Sequence, residues 1–356
     1  MKKFALILAL LPVAAMAETD AEMNLLSALY NTRAKCGDIS QDLTDLKKMA
    51  GISTAVNAAG TAVGIGGVVA GAAKWKADKA VAENMGKKMT HEMIKEKITQ
   101  QYLSAENQAV LEKFRETSQD IDWDDVEQKF EKYARDYAAM NAGEKKSVLT
   151  GIDADIARDQ AAIDAAQKKS DTLGNVRTGL FATNTATSVA GAVLSSKTGL
   201  NQTLQEKIKT CLDSLNNLQE AQSRVRFEDG ENANVELVQK SQNVMDKCGA
   251  YSKVDADKLN KMAKGGVITG SVGAATGLAA TITSIAGTKN KLSNVDLRSE
   301  DAMSDVNKIG ATNIASNTLG GVTAATSAAG TVLNAIQIKK VQEVVTISQE
   351  CEEALQ

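Results

Sequence analysis

Proline is almost missing from this sequence: Pro12 is the only one in 356 residues. Past it, no ring clashes with a preceding carbonyl and no backbone donor is lost, so long unbroken helices are allowed. Aromatic residues make up 3% of the chain, which excludes a core built mainly from rings. Strand signals are missing too. No sustained period-2 alternation of β-branched and aromatic residues occurs, and Asn-Gly or Asp-Gly turns are few. Histidine occurs once, at His91, which argues against a His-based metal centre. Nothing near it builds a Ser-His-Asp or Cys-His relay, so it is expected on a solvated helix face.

Charge is missing over four long runs: Met49–Ala73 (25 residues), Thr178–Ser196 (19), Gly265–Thr288 (24) and Ile309–Ile338 (30). Each is close to or above the length of about 20 that crosses a bilayer. Lysine or arginine flanks each run. Their composition pulls the other way, because Asn57, Asn184, Asn313, Asn317 and many Ser and Thr dilute the hydrophobicity. The glycine-rich runs lack the Lys-Ser/Thr ending of a phosphate-binding loop, and no strand precedes them.

What is present begins with a targeting pattern. Lys2 and Lys3 precede the apolar run Phe4–Ala14 and the cleavage-type triplet Ala15-Met16-Ala17. Residues 1–17 are therefore expected to be a bacterial-type signal peptide, placing the mature chain in the periplasm, at the cell surface or outside. No cysteine follows the triplet, so no lipid anchor is expected there. Without Lys2 and Lys3 the chain carries 39 basic and 44 acidic residues, a net charge of −5. That charge argues against nucleic acid as a partner.

The first charge-free run carries Ser53, Asn57, Gly60, Gly64, Gly67 and Gly71 at alternating steps of four and three. This spacing lines one helix face with small residues. Each glycine inside a helix costs about 1 kcal/mol relative to alanine, so four cost about 3–4 kcal/mol. Close approach of a second backbone is the expected compensation. Gly266, Gly270, Gly273, Gly277, Ala280 and Ser284 repeat the stripe 213 residues later. Thr185–Leu194 likewise matches Ala324–Leu333 at a shift of 139. The chain is thus read as an internal repeat.

These marks predict an all-α fold of two tandem antiparallel helical hairpins with small-residue packing arms. Residues 18–74 plus 174–227 form the first hairpin and 75–173 an inserted, aromatic-containing helical head. Residues 228–234 are the linker and 235–356 the second hairpin. The head helices are expected over roughly 78–118, 123–141 and 144–172. Phe130, Tyr133 and Tyr137 are expected to share one face, and Asp159 interrupts the apolar side of the last helix. Residues 20–48 read as an amphipathic helix with a break near Cys36-Gly37.

Four cysteines allow three pairings. Cys36 to Gly60 spans 24 residues and Cys248 to Gly273 spans 25; Gly191 to Cys211 spans 20 and Gly330 to Cys351 spans 21. The second repeat is longer by the same amount on both arms, which keeps the cysteines of each hairpin level. The expected disulfides are therefore Cys36–Cys211 and Cys248–Cys351. The acidic run Asp120, Asp122, Asp124, Asp125 with Glu131 resembles a calcium loop in spacing. Asp125 stands where that loop needs glycine, so the run is read as a helix start favoured by caps and dipole.

No cofactor, metal, catalytic constellation or small-molecule substrate is indicated. The sequence thus points to an exported, non-enzymatic helical bundle that packs through its glycine faces and contacts a protein partner or itself. The alternative is that the four small-residue segments enter a membrane, as spans or as a pore.

Overall fold

A computed structural model describes residues 19–117, 123–299 and 301–356. The expected signal peptide, 1–17, lies outside the described residues, as do Asp120 and Asp122. Among the described residues the fold is all-α, with no strand. The helices are α1 (Asp20–Cys36), α2 (Ile39–Gln100), α3 (Ala105–Thr117), α4 (Trp123–Ala139), α5 (Ala142–Ser196), α6 (Gln202–Glu228), α7 (Val235–Cys248), α8 (Ala256–Lys289) and α9 (Ala302–Leu355).

Two helices cross the sequence boundaries at 74 and 174. The first arm and the first part of the head are one 62-residue helix, α2, and the last part of the head continues into the second arm as α5. No proline interrupts either junction, and Lys74 and Asp78 pair at 2.6 Å across one turn of the first. The expected helix over 78–118 is instead two. Gln101 adopts a left-handed backbone with φ 65°, and the Ser104 hydroxyl accepts from the Asn107 N–H at 3.3 Å to start α3. The expected break near Cys36-Gly37 separates α1 from α2.

The chain divides into two compact units. The first comprises the described residues up to Thr61, Ala186–Ala274 and Ala325–Gln356; the second comprises Ala62–Thr185 and Ala275–Ala324. In the first unit α1, α6, α7 and the ends of α2 and α9 bury a core of Leu25, Leu29, Leu43, Leu218, Val244 and Val341. Asparagines start two of its helices: Asn201 Oδ1 accepts from Leu204 N at 2.7 Å, and Asn234 Oδ1 from Leu237 N at 3.1 Å. Between α6 and α7, Gly230 turns with φ +54°, a backbone region that other residues rarely enter. Burial pushes the Tyr251 phenol in this core up to about 12.

In the second unit Val81, Ile163, Leu292 and Ile309 form one apolar cluster, and Met89, Met93 and Val110 another. The head aromatics Tyr102, Trp123, Phe130, Tyr133 and Tyr137 do not build this interior, whereas Phe181 on α5 is fully buried. Phe130 packs only against the edge of the methionine cluster, while Tyr133, Tyr102 and Trp75 are exposed. The α4 face that turns inward is Val126, Phe130, Ala134 and Tyr137, with Tyr133 off it. Asp159 interrupts the apolar side of α5 because it receives His91, whose Nδ1 lies 2.8 Å from its carboxylate. His91 is correspondingly half-buried rather than on a fully solvated face.

Candidate functional site

The charge-free arms have their polarity reversed. In the first unit Ser53, Asn57, Ser195, Asn334 and Gln337 are at most 2% exposed. Ser53, Ser195 and Asn334 bond to one another and Gln337 bonds to Thr198, whereas the Asn57 amide nitrogen is buried with no hydrogen-bond partner among the described residues. Ser53 and Ser195 hydroxyls meet at 3.0 Å, and the Asn334 amide donates to Ser53 at 2.8 Å. Gln337 donates to the Thr198 carbonyl at 2.6 Å and accepts from the Thr198 hydroxyl at 3.1 Å. Repeat-equivalent residues touch: Ser188 with Ser327, Ser195 with Asn334 and Thr198 with Gln337 are each 139 apart in sequence.

In the second unit the interior holds charge. Arg177 is fully buried; its Nε donates to Ser284 at 2.9 Å and its Nη1 to Asn313 at 3.0 Å. Asn313 donates on to Asp78 at 3.0 Å, and Asp78 also receives Lys74 at 2.6 Å and the Ser170 hydroxyl. Thr276 and Thr323 hydroxyls meet at 2.9 Å.

The outward faces are aliphatic. In the first unit Ile52, Val189, Val193, Ile268, Val332 and Ile336 stand 48–63% exposed. In the second, Ile65, Val69, Leu278, Ile282, Ile314 and Val322 stand 42–62% exposed. The threonines on these helices satisfy their own hydroxyls by donating to the carbonyl four residues back: Thr61 to Asn57 at 3.0 Å, Thr183 to Gly179 at 2.9 Å and Thr331 to Ser327 at 2.9 Å. They do not depend on water.

The predicted glycines serve two purposes. Backbone approach accounts for some: a Cβ at Gly270 would stand 2.8 Å from the Ala192 nitrogen, one at Gly64 3.1 Å from the Ala324 Cα, and one at Gly277 3.3 Å from the Thr185 Cα. Others make room for side chains. A methyl at Gly67 would collide with the Phe181 ring, and one at Gly71 with the Asn317 amide. Gly266 faces Ser195 and Asn334, Gly273 faces Ser188 and Thr326, and Gly60 is buried. Gly191 opposes Asn57, and Gly320 opposes Phe181. The spaces that glycine leaves are thus filled.

The residues missed by the sequence reading are the partners: Phe181, Asn184, Ser188, Ser195, Asn317 and Asn334. They lie on the same four-and-three step carried through α5 and α9. That step is visible in the sequence once glycine is not required at every position.

Cys36 pairs with Cys211 and Cys248 with Cys351, as the spacing predicts, and no described cysteine is free. Sulfurs of Cys36, Cys248 and Cys351 lie within 4.8 Å of one another, so the two disulfides adjoin. The described acids of the 120–131 run are dispersed on cations. Asp124 and Glu127 face Arg115 at 3.5 Å, Asp125 faces Lys129, and Lys97 hydrogen-bonds Glu131 at 2.5 Å, holding that carboxyl below its usual range. Asp124 and Asp125 occupy the first turn of α4, as a helix start requires.

Among the described residues, three stretches are long and apolar enough to cross a membrane: Asp20–Gln100, Ala256–Lys289 and Ser304–Leu355. The arm in α5 is not among them. Comparison with family models, curated proteins and solved structures finds no match to this chain.

Proposed function

We propose that this is an exported, non-enzymatic protein whose four charge-free arms enter a membrane as a packed helical bundle. The observation that carries the reading is the reversed polarity of the arms. Twelve half-exposed aliphatic side chains, each forgoing about 1 kcal/mol of burial, represent on the order of 10 kcal/mol unused in water. The same helices spend their interior on Asn, Ser, Gln and Arg, which are tolerated only with partners. In lipid both features have a reason. Aliphatic side chains face acyl tails, while interhelical hydrogen bonds and small residues hold the helices together. The charges that bound these runs in the second unit, Lys74, Asp78 and Arg177, are buried and paired inward rather than turned outward.

The filled glycine spaces favour an anchor or scaffold over an open pore. Protein partners or further copies would then meet the parts outside the lipid. This reading reverses the preference for packing in water that composition alone supports.

The test is an alkaline carbonate wash of membranes from cells making the full chain. Retention in the pellet is expected. Complete release into the supernatant would return the arms to simple packing in water.

A further inference from the structure

Where the arms of the first unit end, a cavity of about 1030 Å³ opens between α2, α6, α8 and the α5–α6 connection. Its polar wall carries Lys197, Lys207, Lys261 and Lys264 against Asp42, Asp45 and Asp257. Two of the acids are occupied: Asp42 pairs with Lys207 at 2.6 Å and Asp45 with Lys48 at 3.3 Å. Lys197, Lys261 and Lys264 are exposed and have no ion-pair partner among the described residues, so the cavity keeps an excess of positive charge.

Its other wall is apolar. Leu46, Met49, Leu200 and Val267 line it. Met49 and Val267 lead directly to Ile52 and Ile268, which belong to the exposed aliphatic face of the same unit. One space therefore joins unpaired ammonium groups to a surface suited to hydrocarbon.

We infer that this cavity binds an anionic phospholipid: its phosphodiester lies among Lys197, Lys261 and Lys264, and its acyl chains run out over Met49 and Val267. The inference rests on the membrane reading above. A free phosphate would use the lysines but not the apolar wall; a lipid without phosphate would leave the lysines unused, and zwitterionic phosphatidylcholine would set its choline cation against them. Only an anionic lipid uses both. Lysines at the end of an apolar helix are also where anionic headgroups concentrate.

The test reconstitutes the full chain in vesicles of phosphatidylcholine alone or with phosphatidylglycerol. The protein is then extracted in mild detergent and its retained lipid measured by mass spectrometry. Preferential retention of phosphatidylglycerol is expected. The triple variant Lys197→Gln, Lys261→Gln, Lys264→Gln should lose it by about tenfold or more. Lys209→Gln, Lys253→Gln, Lys258→Gln removes equal charge from the same unit outside the cavity and should retain it. Val267→Trp, which fills the apolar wall, should weaken retention with the lysines intact.

Equal retention of both lipids, or undiminished phosphatidylglycerol on the first triple variant, overturns the site while leaving membrane insertion standing. Displacement of the lipid by excess inorganic phosphate overturns the choice of lipid over free phosphate. A chain that enters neither kind of vesicle defeats the membrane reading itself, and this site with it.

Discussion

Within one unit, a single helix serves two different interiors. At the start of α2, Ile39 and Leu43 are fully buried against Leu25 and Leu218. Ten residues beyond Leu43 on the same helix, Ser53 is the fully buried residue and its neighbour Ile52 stands 51% exposed. The disulfide end is built as a water-soluble domain is built, with aliphatics inside. The arm is built the other way. Secondary structure is the same in both, so the difference lies in which side chains the helix face turns inward. That difference is what the proposed membrane reading rests on.

The comparison can be broken most forcefully at the disulfides. Replacing Cys36 and Cys211 by alanine opens a loop of separation 175. It should cost about 4–5 kcal/mol in the chain-entropy model. Denaturant unfolding should show the loss at the disulfide end, while carbonate retention of the arms persists.

The arms are tested by charge. Leu278→Lys, near the middle of its charge-free run and 55% exposed, should raise the cost of insertion by about 2.5–3.5 kcal/mol. Phe227→Lys at the disulfide end, where Phe227 is 91% exposed, should change stability by no more than about 0.5 kcal/mol. Equal tolerance of both lysines in a membrane-insertion assay would erase the distinction between the regions.

Tyr251 sharpens the comparison by pH. Burial holds its folded value at about 12, above the ordinary phenol value of 10.0. Its contribution is therefore complete below pH 10 and is lost as pH rises towards 12, for a total of about 2–3 kcal/mol. Tyr251→Phe should flatten that alkaline loss, followed by unfolding of the disulfide end across the same window. The arms should not respond.

A smaller effect is expected inside the bundle. Gly320→Ala forces the Phe181 ring to move and should cost about 1–3 kcal/mol by overpacking, less what alanine returns in helix propensity. Gly321→Ala, which meets nothing within 4 Å, should be neutral or stabilising in thermal unfolding.

Much of the fold was legible because helices are governed by local rules. The absence of proline and the four-and-three spacing gave the all-α fold, and level hairpin spacings gave the cysteine pairing. The continuity of α2 and α5 was missed because a change from apolar to charged composition looks like a boundary when it only changes what surrounds the helix. Asp159 looked like a flaw in a stripe until His91 arrived from 68 residues away. The arm interior was the hardest to read. A periodic stripe shows which positions share a face, but Asn334 and Ser195 look like solvent-facing residues until their partners on other helices are known. Their hydrophilicity lowers the hydropathy of the very segments whose outer surfaces are aliphatic.

The central claim is that those outer surfaces meet acyl chains. The most direct measurement uses the full chain in vesicles whose phospholipid carries a photoactivatable group on its acyl tail, with labelled residues mapped by mass spectrometry. The account predicts labelling at Ile65, Val69, Ile268, Ile282 and Ile336, and none at Ser195 or Asn334. Labelling confined to the disulfide end, or none on the arms, would contradict it.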